Sequence, residues 1–543
     1  MKKGLVALEI LAIIALLGGA CYFGMKAKEC ADIAKEGNKY EDTKLVLYEG
    51  PATLKDSTPE DAESGKESEK DITLKHCTNT KVTVNGYDCY VYDTTVNNNR
   101  SWSSSYLPEL SRTPVTYFDF EGVAEITVTV PDIDIETVRV SPLSYGIEPV
   151  VDKEKHTVTF SIDKVDDYTV QFNNRAKGAV HIFTYDIETD VPSKDDKNVI
   201  FFGPGEWNLD EYSITEPGTV VYVAGGAVVH GTFNVSFVDD VTIKGHGIID
   251  GSLYEGWRGK NAKVPLNFNN CKNSLLQDVI LLNPNAWVVQ QYNCEKGVID
   301  GIHIISSRPN GDGISLQSCT DYEVKNCFIR SWDDSVVVKN YSQVSSKNIK
   351  VTNCQLWTDL AQSMEIGFET NKGKFADMTI TDIVFDNITV LNNFHKPVIS
   401  IHNSDDAAIS DITFSNITVE YNTVGAGDSD IKYIIDLFSG ASGWSSTTTR
   451  GTISDVKIEN VNFLSGTNTD IRIKGAADDK LVSNVTFKNV NINGTVLKSA
   501  DDANFKTVSC AENIKVEADD DFVKAAEELA KKMAGNAEAS SEE

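Results

Sequence analysis

The sequence feature that most constrains the fold is a short apolar strand that recurs from about Phe201 onward, each copy ending in a turn with Asn or Cys. Internal repetition at about 20–30 residues predicts a solenoid. Because the strands are rich in Val and Ile and no helical segment separates them, we predict an all-β parallel β-helix over residues 196–500. The turns that define the repeat are Asn270-Cys271, Asn293-Cys294, Ser318-Cys319, Asn326-Cys327, Asn353-Cys354, Asn387, Asn416, Asn460 and Asn489.

Stacking of coils predicts what these turn residues do. Neighbouring coils of a β-helix pair their backbones at ~4.8 Å, so equivalent residues stack in columns along the axis. Turn Asn side chains are then expected to hydrogen-bond from one coil to the next. The cysteine columns are expected to be small buried hydrophobic residues, and not disulfides or ligands.

Period-two alternation between residues 76 and 195 predicts a different unit. Segments such as Ala124–Val130 and His156–Ile162 alternate apolar and polar residues and are separated by Asn, Asp, Gly and Pro. This pattern predicts an antiparallel β-sandwich before the solenoid. Cys77 and Cys89 are candidates for a disulfide there. Residues 31–75, which include the charged stretch from Asp56 to Lys70, are predicted to be a polar linker.

The N-terminal residues 1–30 read as an export segment. Two lysines precede an apolar run over residues 5–23. A plain signal or anchor, a lipoprotein signal using Cys21, and a prepilin-like leader marked by Glu9 all remain open. All three place the rest of the chain outside the cytoplasm, secreted or at the cell surface. The segment anchors the chain in a membrane if it is not cleaved.

Composition narrows the function class. Eighty acidic and fifty basic residues give a net charge of -30, which disfavours binding to nucleic acids. The ten cysteines form no CxxC pair, so nothing in the sequence indicates a zinc or redox site, and no cofactor or metal is expected. Residues 501–543 are predicted to be a tail in which acidic residues precede a short amphipathic helix with Gly535 after it.

One group of carboxylates differs in its spacing from the many other Asp-Asp pairs of this chain. Asp312 and Asp333 are 21 residues apart, which is one coil. Asp312 and the pair Asp333-Asp334 should therefore project from neighbouring coils on one face. Three such acids cannot all ionise freely, so at least one pKa should rise. Inverting glycoside hydrolysis needs an acid and a base of this kind. A solvated or calcium-binding acidic turn is the alternative interpretation.

Several motifs resemble glycoside hydrolase family 28, the polygalacturonases, between about Phe201 and Ser410. They are Gly245-His246-Gly247-Ile248-Ile249-Asp250-Gly251, Asn283-Pro284-Asn285-Ala286-Trp287, Asn310-Gly311-Asp312, and Asp333-Asp334 followed by Lys339. The resemblance implies a right-handed parallel β-helix and inverting hydrolysis. It also implies that Asp333 is the general acid and that Asp312 and Asp334 hold the attacking water.

Two motifs of that family are missing. The family's histidine in Gly-His-Gly-Ile-Ser-Ile-Gly is Gln362 here, and its Arg-Ile-Lys is Ser400-Ile401-His402. That Arg and Lys hold a galacturonate carboxylate, so their absence weakens the case for pectin. The chain is also similar to family 49 (dextranase and isopullulanase), which keeps the three aspartates, places a β-sandwich first and acts on neutral glucans. The choice between these substrates stays open.

Adjacency to the acidic motifs suggests the groups that bind the substrate. The candidates are Asn310, Arg308, Lys339, Trp287, Trp332, Gln362 and His402. Trp357 is a further aromatic candidate, His395 and Glu369 are weaker ones, and Asp405-Asp406 is a rival acidic site.

Three classes of function compete. We expect an exported inverting glycoside hydrolase that cleaves a plant or microbial polysaccharide, with a family 49-like glucan hydrolase as the alternative. A polysaccharide lyase on the same solenoid is disfavoured by the acidic trio. A non-catalytic surface adhesin is the third class.

Overall fold

The computed structural model describes residues 43–58, 71–97, 110–256, 262–425 and 433–539, with side chains described through residue 529. A two-sheet sandwich precedes a long parallel solenoid, as the periodicities predict. The predicted export segment lies outside the described residues. Within the described residues, no helix is long and apolar enough to span a bilayer.

Within the described residues the sandwich has twelve strands. They are β1 (Lys44–Leu47), β2 (Lys75–His76), β3 (Lys81–Val84), β4 (Tyr87–Asp88), β5 (Tyr92–Val96), β6 (Ser111–Glu121), β7 (Ala124–Thr129), β8 (Val138–Ser141), β9 (Val150–Asp152), β10 (Thr157–Ile162), β11 (Asp167–Phe172) and β12 (Val180–Tyr185), with a 3-10 turn at Leu143–Tyr145. One sheet has the order β2-β5-β6-β12-β11-β8, with β1 also paired to β6, and the other has the order β4-β3-β7-β10-β9. Alternate residues of β7 and β10 are buried between the two sheets.

The solenoid contains the remaining strands. They are β13 (Val199–Phe202), β14 (Gly205–Ile214), β15 (Val220–Val223), β16 (Ala227–Ser236), β17 (Thr242–Lys244), β18 (Ile248–Asp250), β19 (Leu266–Asn269), β20 (Leu275–Gln277), β21 (Ile280–Leu282), β22 (Val289–Tyr292), β23 (Val298–Asp300), β24 (His303–Ile305), β25 (Ile314–Gln317), β26 (Thr320–Lys325), β27 (Phe328–Ser331), β28 (Val336–Lys339), β29 (Ser346–Thr352), β30 (Gln355–Thr358), β31 (Met364–Phe368), β32 (Thr379–Asn393), β33 (Ile399–Asn403), β34 (Ala408–Val419), β35 (Tyr433–Ser439), β36 (Ile453–Phe463), β37 (Asp470–Lys474), β38 (Val482–Ile492), β39 (Thr495–Val496), β40 (Phe505–Ser509) and β41 (Ala511–Glu517). A helix, α1 (Asp520–Ala539), ends the described chain.

Pairing between coils divides the solenoid into three faces. Face A runs through β17, β20, β23, β26 and β29. Face B runs through β18, β21, β24, β27 and β30. Face C runs through β19, β22, β25, β28, β31, β33, β35 and β37. Each coil therefore passes from face A to B to C, and the loops between faces lie in rows along the solenoid.

The turn residues have the roles that the repeat predicts. The turn asparagines, such as Asn353 and Asn387, have φ near 55°, a left-handed conformation that Asn tolerates better than most residues. Their amides donate to the asparagine of the preceding coil, for example Asn387 to Asn353 at 2.8 Å. The cysteines of the columns are free and buried, which confirms the prediction that they act as small hydrophobic residues. Cys77 and Cys89 are also free thiols, so the candidate disulfide is not formed.

The sandwich covers the outer side of face B. Tyr117 and Phe183 of the sandwich pack in one buried cluster with Ile280, Phe328 and Trp357 of the solenoid. Polar pairs cross the same junction, including His246 with Asp119 at 2.9 Å and His303 with Asp167 at 2.6 Å. Face B is therefore an internal surface.

Two expected boundaries differ from the structure. Strand β1 lies within residues 31–75, expected to be a linker, and pairs antiparallel with β6 because Leu45 and Leu47 pack on the sandwich core. The solenoid also continues past residue 500, where the sequence predicts its end, since β40 and β41 pair in parallel with β37 and β38. Helix α1 runs through Gly535.

Candidate active site

The three predicted aspartates lie on neighbouring coils, in the row of loops that leads from face B to face C. Asp312 precedes β25, and Asp333-Asp334 precedes β28, which is the next strand of face C. The Gly313 N–H donates to the carbonyl of Asp334 at 2.8 Å, so the two loops are in direct backbone contact. The 21-residue interval thus corresponds to one coil.

Two carboxyl groups of the trio are buried, and all three accept few hydrogen bonds. Asp312 is 2% exposed and Asp334 6% exposed, whereas Asp333 is only half-buried. Asp334 Oδ1 accepts the Gln362 N–H at 3.2 Å, and Asp312 Oδ2 accepts from the Ser315 hydroxyl at 3.4 Å. Such burial with so few donors disfavours the charged form.

Electrostatics follow from this burial. Burial raises the pKa of Asp334 to about 7, with a further contribution from the charge of Asp333, while Lys339 opposes the shift. The pKa of Asp312 is raised well above its usual value, again chiefly by burial and against the effect of Lys339. Asp312 and Asp334 therefore hold a proton more readily than exposed carboxyls do.

Lys339 is a buried cation of the site. Its Nζ lies 3.5 Å from Asp312 Oδ2, 3.5 Å from Glu369 Oε2 and 5.4 Å from the centre of the Trp287 ring. Burial lowers the pKa of Lys339, but the carboxylates of Glu369 and Asp312 together raise it well above its usual value. Lys339 is therefore charged and held between two acids, so it offsets the charge of the trio.

Glu369, one of the weaker candidates from the sequence, is a buried partner of Lys339. It also accepts a hydrogen bond from the Tyr341 hydroxyl at 3.0 Å. Burial raises the pKa of Glu369, but Lys339 and that hydroxyl bring it below its usual value. Glu369 is thus an ionised partner that fixes Lys339.

Glu365 is a site residue that sequence reasoning missed. It is 0% exposed on β31, in register with Val337 of β28 and Ser400 of β33. Burial, and then the charge of Asp334, raise the pKa of Glu365 well above its usual value. The available signal was the family motif itself, because Glu365 stands where that motif has Ser.

Two predicted substrate contacts have structural roles instead. Arg308 is buried and donates to the carbonyls of Gly251, Asn283 and Pro284, so it ties the turns of neighbouring coils together. Burial lowers the pKa of Arg308 to about 10. Trp332 is buried and packs against Leu360.

Trp357 is the third aromatic candidate and is also internal. It is buried on the outer side of face B beneath the sandwich, with the Arg330 guanidinium 4.1 Å from its ring. Among Trp287, Trp332 and Trp357, Trp287 alone is partly exposed beside the trio.

The remaining candidates surround the trio without forming a cation pair. Gln362 binds Asp334 through its backbone, and Asn310, with φ of 58°, forms the turn before Asp312. The ring of His402 lies between Phe368 and Phe438, at centroid distances of 4.0 and 4.8 Å. Burial, and then the charge of Arg472, lower the pKa of His402 to about 3, so this side chain is neutral. His395 is buried as well.

The rival acidic site, Asp405-Asp406, holds two loops together, and we call it the clamp. Asp405 is fully buried, and its carboxylate accepts the N–H groups of Asn371, Ser446 and Thr447 at 2.6–3.1 Å and the Thr447 hydroxyl at 3.1 Å. Asp406 accepts from the Asn371 amide at 2.8 Å. Because its acceptor capacity is used, Asp405 fixes two loops and is not poised for chemistry.

Two other features are separate from the trio. A groove of about 740 Å³ lies at the junction of the two domains, and none of the three aspartates lines it. The described residues contain no group of three or more His, Cys, Asp or Glu side chains arranged to hold a metal ion.

Comparison with known proteins assigns the family. The family model for glycosyl hydrolases family 28 matches residues 192–511, more than half of the chain, and the chain belongs to this family. It is 28% identical over 299 residues to a probable endopolygalacturonase D of Neosartorya fischeri, covering 50% of this chain and 58% of that protein. It is 25% identical over 122 residues to a probable polygalacturonase of Arabidopsis thaliana, covering 20% of this chain and 28% of that protein. The chain thus spans less than two thirds of either relative.

Among solved structures, Dex49A from Penicillium minioluteum has a similar fold. The TM-score is 0.59 with 12% sequence identity, over 87% of this chain and 98% of that one. At this identity the similarity concerns the fold alone.

Proposed function

We propose that this protein is an inverting polysaccharide hydrolase whose chemistry is performed by Asp312, Asp333 and Asp334. The observation that carries the proposal is the group of three carboxyls on adjacent coils, in which burial raises the pKa of Asp312 and of Asp334. Membership of glycosyl hydrolases family 28 supports the same reaction class. Single-displacement hydrolysis needs one protonated and one ionised carboxyl on opposite sides of the scissile bond.

The roles follow from access and from the family motif. Asp333, the most exposed of the three, donates a proton to the glycosidic oxygen as the leaving sugar departs. Asp312 and Asp334 hold a water molecule, and one of them takes its proton as the water oxygen attacks the anomeric carbon. The bond to the departing oxygen breaks as the new bond forms on the opposite face, so the product anomer is inverted.

The substrate is proposed to be a plant or microbial polysaccharide, as the names of the polygalacturonase relatives suggest. A neutral glucan is the second candidate, and two residues of strand β33 in face C favour it. Ser400 and the neutral His402 occupy the positions where the family motif has its two carboxylate-binding cations. The nearby Arg472 is engaged with Asp436 at 2.6 and 2.7 Å. We further propose that residues 5–23 direct the chain out of the cytoplasm.

A substrate panel tests this function. Purified protein is incubated with polygalacturonate, rhamnogalacturonan, dextran and pullulan, and reducing ends are measured for wild type and Asp312→Asn. We expect release from one polymer by wild type, loss in the variant, and an inverted anomer in the first product seen by NMR.

Other outcomes of the same panel separate the competing functions. A product with an unsaturated end that absorbs in the near ultraviolet would identify a lyase. Binding without release from any polymer would identify an adhesin.

A further inference from the structure

The edge of face C opposite the trio carries two exposed aromatic side chains, among the described residues, that the proposed chemistry does not use. Trp444 is 46% exposed on the loop between β35 and β36, and Phe375 is 39% exposed on the loop between β31 and β32. Both loops leave the C-terminal edge of face C, whereas the trio lies at the N-terminal edge of the same face. Exposed aromatic residues grouped along one edge of a face mark a candidate binding surface.

Asp405 and Asp406 hold both loops. The loop that carries Trp444 is anchored where Asp405 accepts the N–H groups of Ser446 and Thr447. The loop that carries Phe375 is anchored where Asn371 binds Asp405 and Asp406. Asp405-Asp406 follows β33, the face C strand between β31 and β35, so it clamps the loops of the coils on either side of it.

Hydrogen bonds fix the backbone of both loops, and the Phe375 and Trp444 rings are exposed to solvent. The Trp444 loop is closed at its base by the Ser439 hydroxyl, which donates to the Gly451 carbonyl at 2.7 Å. At Gly440, the first residue of this loop, a Cβ would lie 2.0 Å from the Phe438 ring. In the other loop, the Asn371 side chain donates to the Phe375 carbonyl and accepts its N–H, at 2.8 and 2.9 Å. Exposed rings on fixed loops lose little conformational entropy on binding.

We propose that Phe375 and Trp444 form a polysaccharide-binding platform, on which the apolar faces of sugar rings pack, beyond the cleavage site. The strand order β28-β31-β33-β35 places the Trp444 coil three coils from the Asp334 coil, or ~14 Å along the axis, and the Phe375 coil ~5 Å from it. The width of a face C strand, four residues in β28 and five in β31 or ~13–17 Å, also separates the two edges. A polysaccharide bound at the trio therefore reaches both aromatics only if it crosses face C and extends several sugars past the bond that is cut. This inference rests on the proposed function for its choice of ligand.

The test compares two double variants. Phe375→Ala with Trp444→Ala removes the platform, and Phe237→Ala with Trp207→Ala is the matched control. The control pair is 79% and 42% exposed in the N-terminal coils of the solenoid. Binding is measured by affinity gel electrophoresis in gels containing dextran, pullulan, polygalacturonate or rhamnogalacturonan, in the Asp333→Asn background. Hydrolysis of polymer and of a short oligosaccharide of the same linkage is measured with Asp333 intact.

Stacking on each ring contributes about 0.5–1.5 kcal/mol, which corresponds to roughly 2- to 12-fold in affinity per aromatic residue. We expect the platform variant to lose retardation in one polymer gel and to raise KM for that polymer, with oligosaccharide hydrolysis unchanged. The control variant should behave as wild type. Unchanged retardation, equal loss in the control, loss of oligosaccharide hydrolysis to the same extent, or no retardation of the parent in any gel would overturn the proposal.

The same design separates this inference from the proposed function. If Asp333→Asn hydrolyses as fast as wild type while the platform variant still loses retardation, the assigned chemistry is wrong and the platform stands.

Discussion

Two Asp-Asp pairs at opposite edges of face C have the same sequence and opposite surroundings. Asp405 accepts four hydrogen bonds, three of them from backbone N–H groups, and joins two loops. Asp334 is almost as deeply buried but accepts one N–H, from Gln362, and has two further carboxyls beside it. Burial is therefore compatible with either role. The number of donors that a buried carboxylate receives separates a clamp from a reactive group.

The two environments predict opposite effects on stability. A carboxylate satisfied by donors stabilises the fold, and removing it leaves buried N–H groups without an acceptor. A carboxyl buried with few donors and other acids nearby destabilises the fold where it ionises. Replacing residues in each pair tests whether this difference is real.

The largest expected effect is on catalysis by Asp334→Asn. Loss of a carboxylate that holds the attacking water should lower kcat by about 10²- to 10⁴-fold. The measurement is reducing-end release on the polymer that wild type cleaves. A variant with more than a tenth of the wild-type kcat would place Asp334 outside the reaction.

The same variant should be more stable than wild type at high pH. The folded-state pKa of Asp334, about 7, lies above its value near 4 in the unfolded chain. Between these values the folded state binds more protons, so the free energy of unfolding falls as pH rises from about 4 to 7. Asp334→Asn removes that fall. We expect a higher Tm than wild type at pH 8 and no difference near pH 4, and a lower Tm at pH 8 would contradict the electrostatic account.

Asp405→Asn should act on stability instead. Replacing one carboxylate oxygen by an NH₂ group loses acceptors for buried N–H groups, which costs about 1–3 kcal/mol. Urea unfolding should show a lower midpoint with an unchanged m-value. Activity measured well below the unfolding transition should stay within a few-fold of wild type, and a catalytic loss without destabilisation would restore the rival-site interpretation.

A smaller effect is expected from the cation beside the trio, Lys339. Lys339→Met removes the positive charge that opposes the raised pKa values of Asp312 and Asp334, so both should rise further. If the ionised form of either group is the base, the acidic limb of the pH profile of kcat/KM moves to higher pH by about one unit.

Lys347→Met is the matched control for that experiment. Lys347 also lies 3.5 Å from a carboxylate, Asp382, but both side chains are exposed. Its pH profile should match that of wild type. A profile that stays in place in Lys339→Met would show that Lys339 does not tune the trio.

The sequence was sufficient for the fold and for the adjacency of the trio. The length of a coil is a number of residues that can be read from the sequence. An interval of 21 residues therefore places Asp312 beside Asp333 without any knowledge of side-chain direction. The same count does not give the direction of a side chain or the residues that bury it. Arg308 and Trp332 are adjacent to the trio in sequence, yet their side chains turn into neighbouring coils and are buried there.

Glu365 and Glu369 show the converse limit. Both alternate with apolar residues on or just after β31, a pattern that predicts exposed side chains on the outer surface of a strand. Residues of the preceding coil surround them instead: Lys339 and Tyr341 contact Glu369, and the charge of Asp334 acts on Glu365. Strand β1 was missed because its partner, β6, begins more than sixty residues later and the intervening segment is strongly polar.

The most direct test of the central claim makes one chemical change in each Asp-Asp pair. Asp333→Asn and Asp406→Asn each replace the less buried member of a pair, and both are assayed for reducing-end release on the polymer that wild type cleaves. We predict that Asp333→Asn loses at least a hundredfold in kcat, the lower range for removal of a general acid, and that Asp406→Asn retains wild-type activity. Equal activity of the two variants, or a loss confined to Asp406→Asn, would contradict the assignment of hydrolysis to the trio.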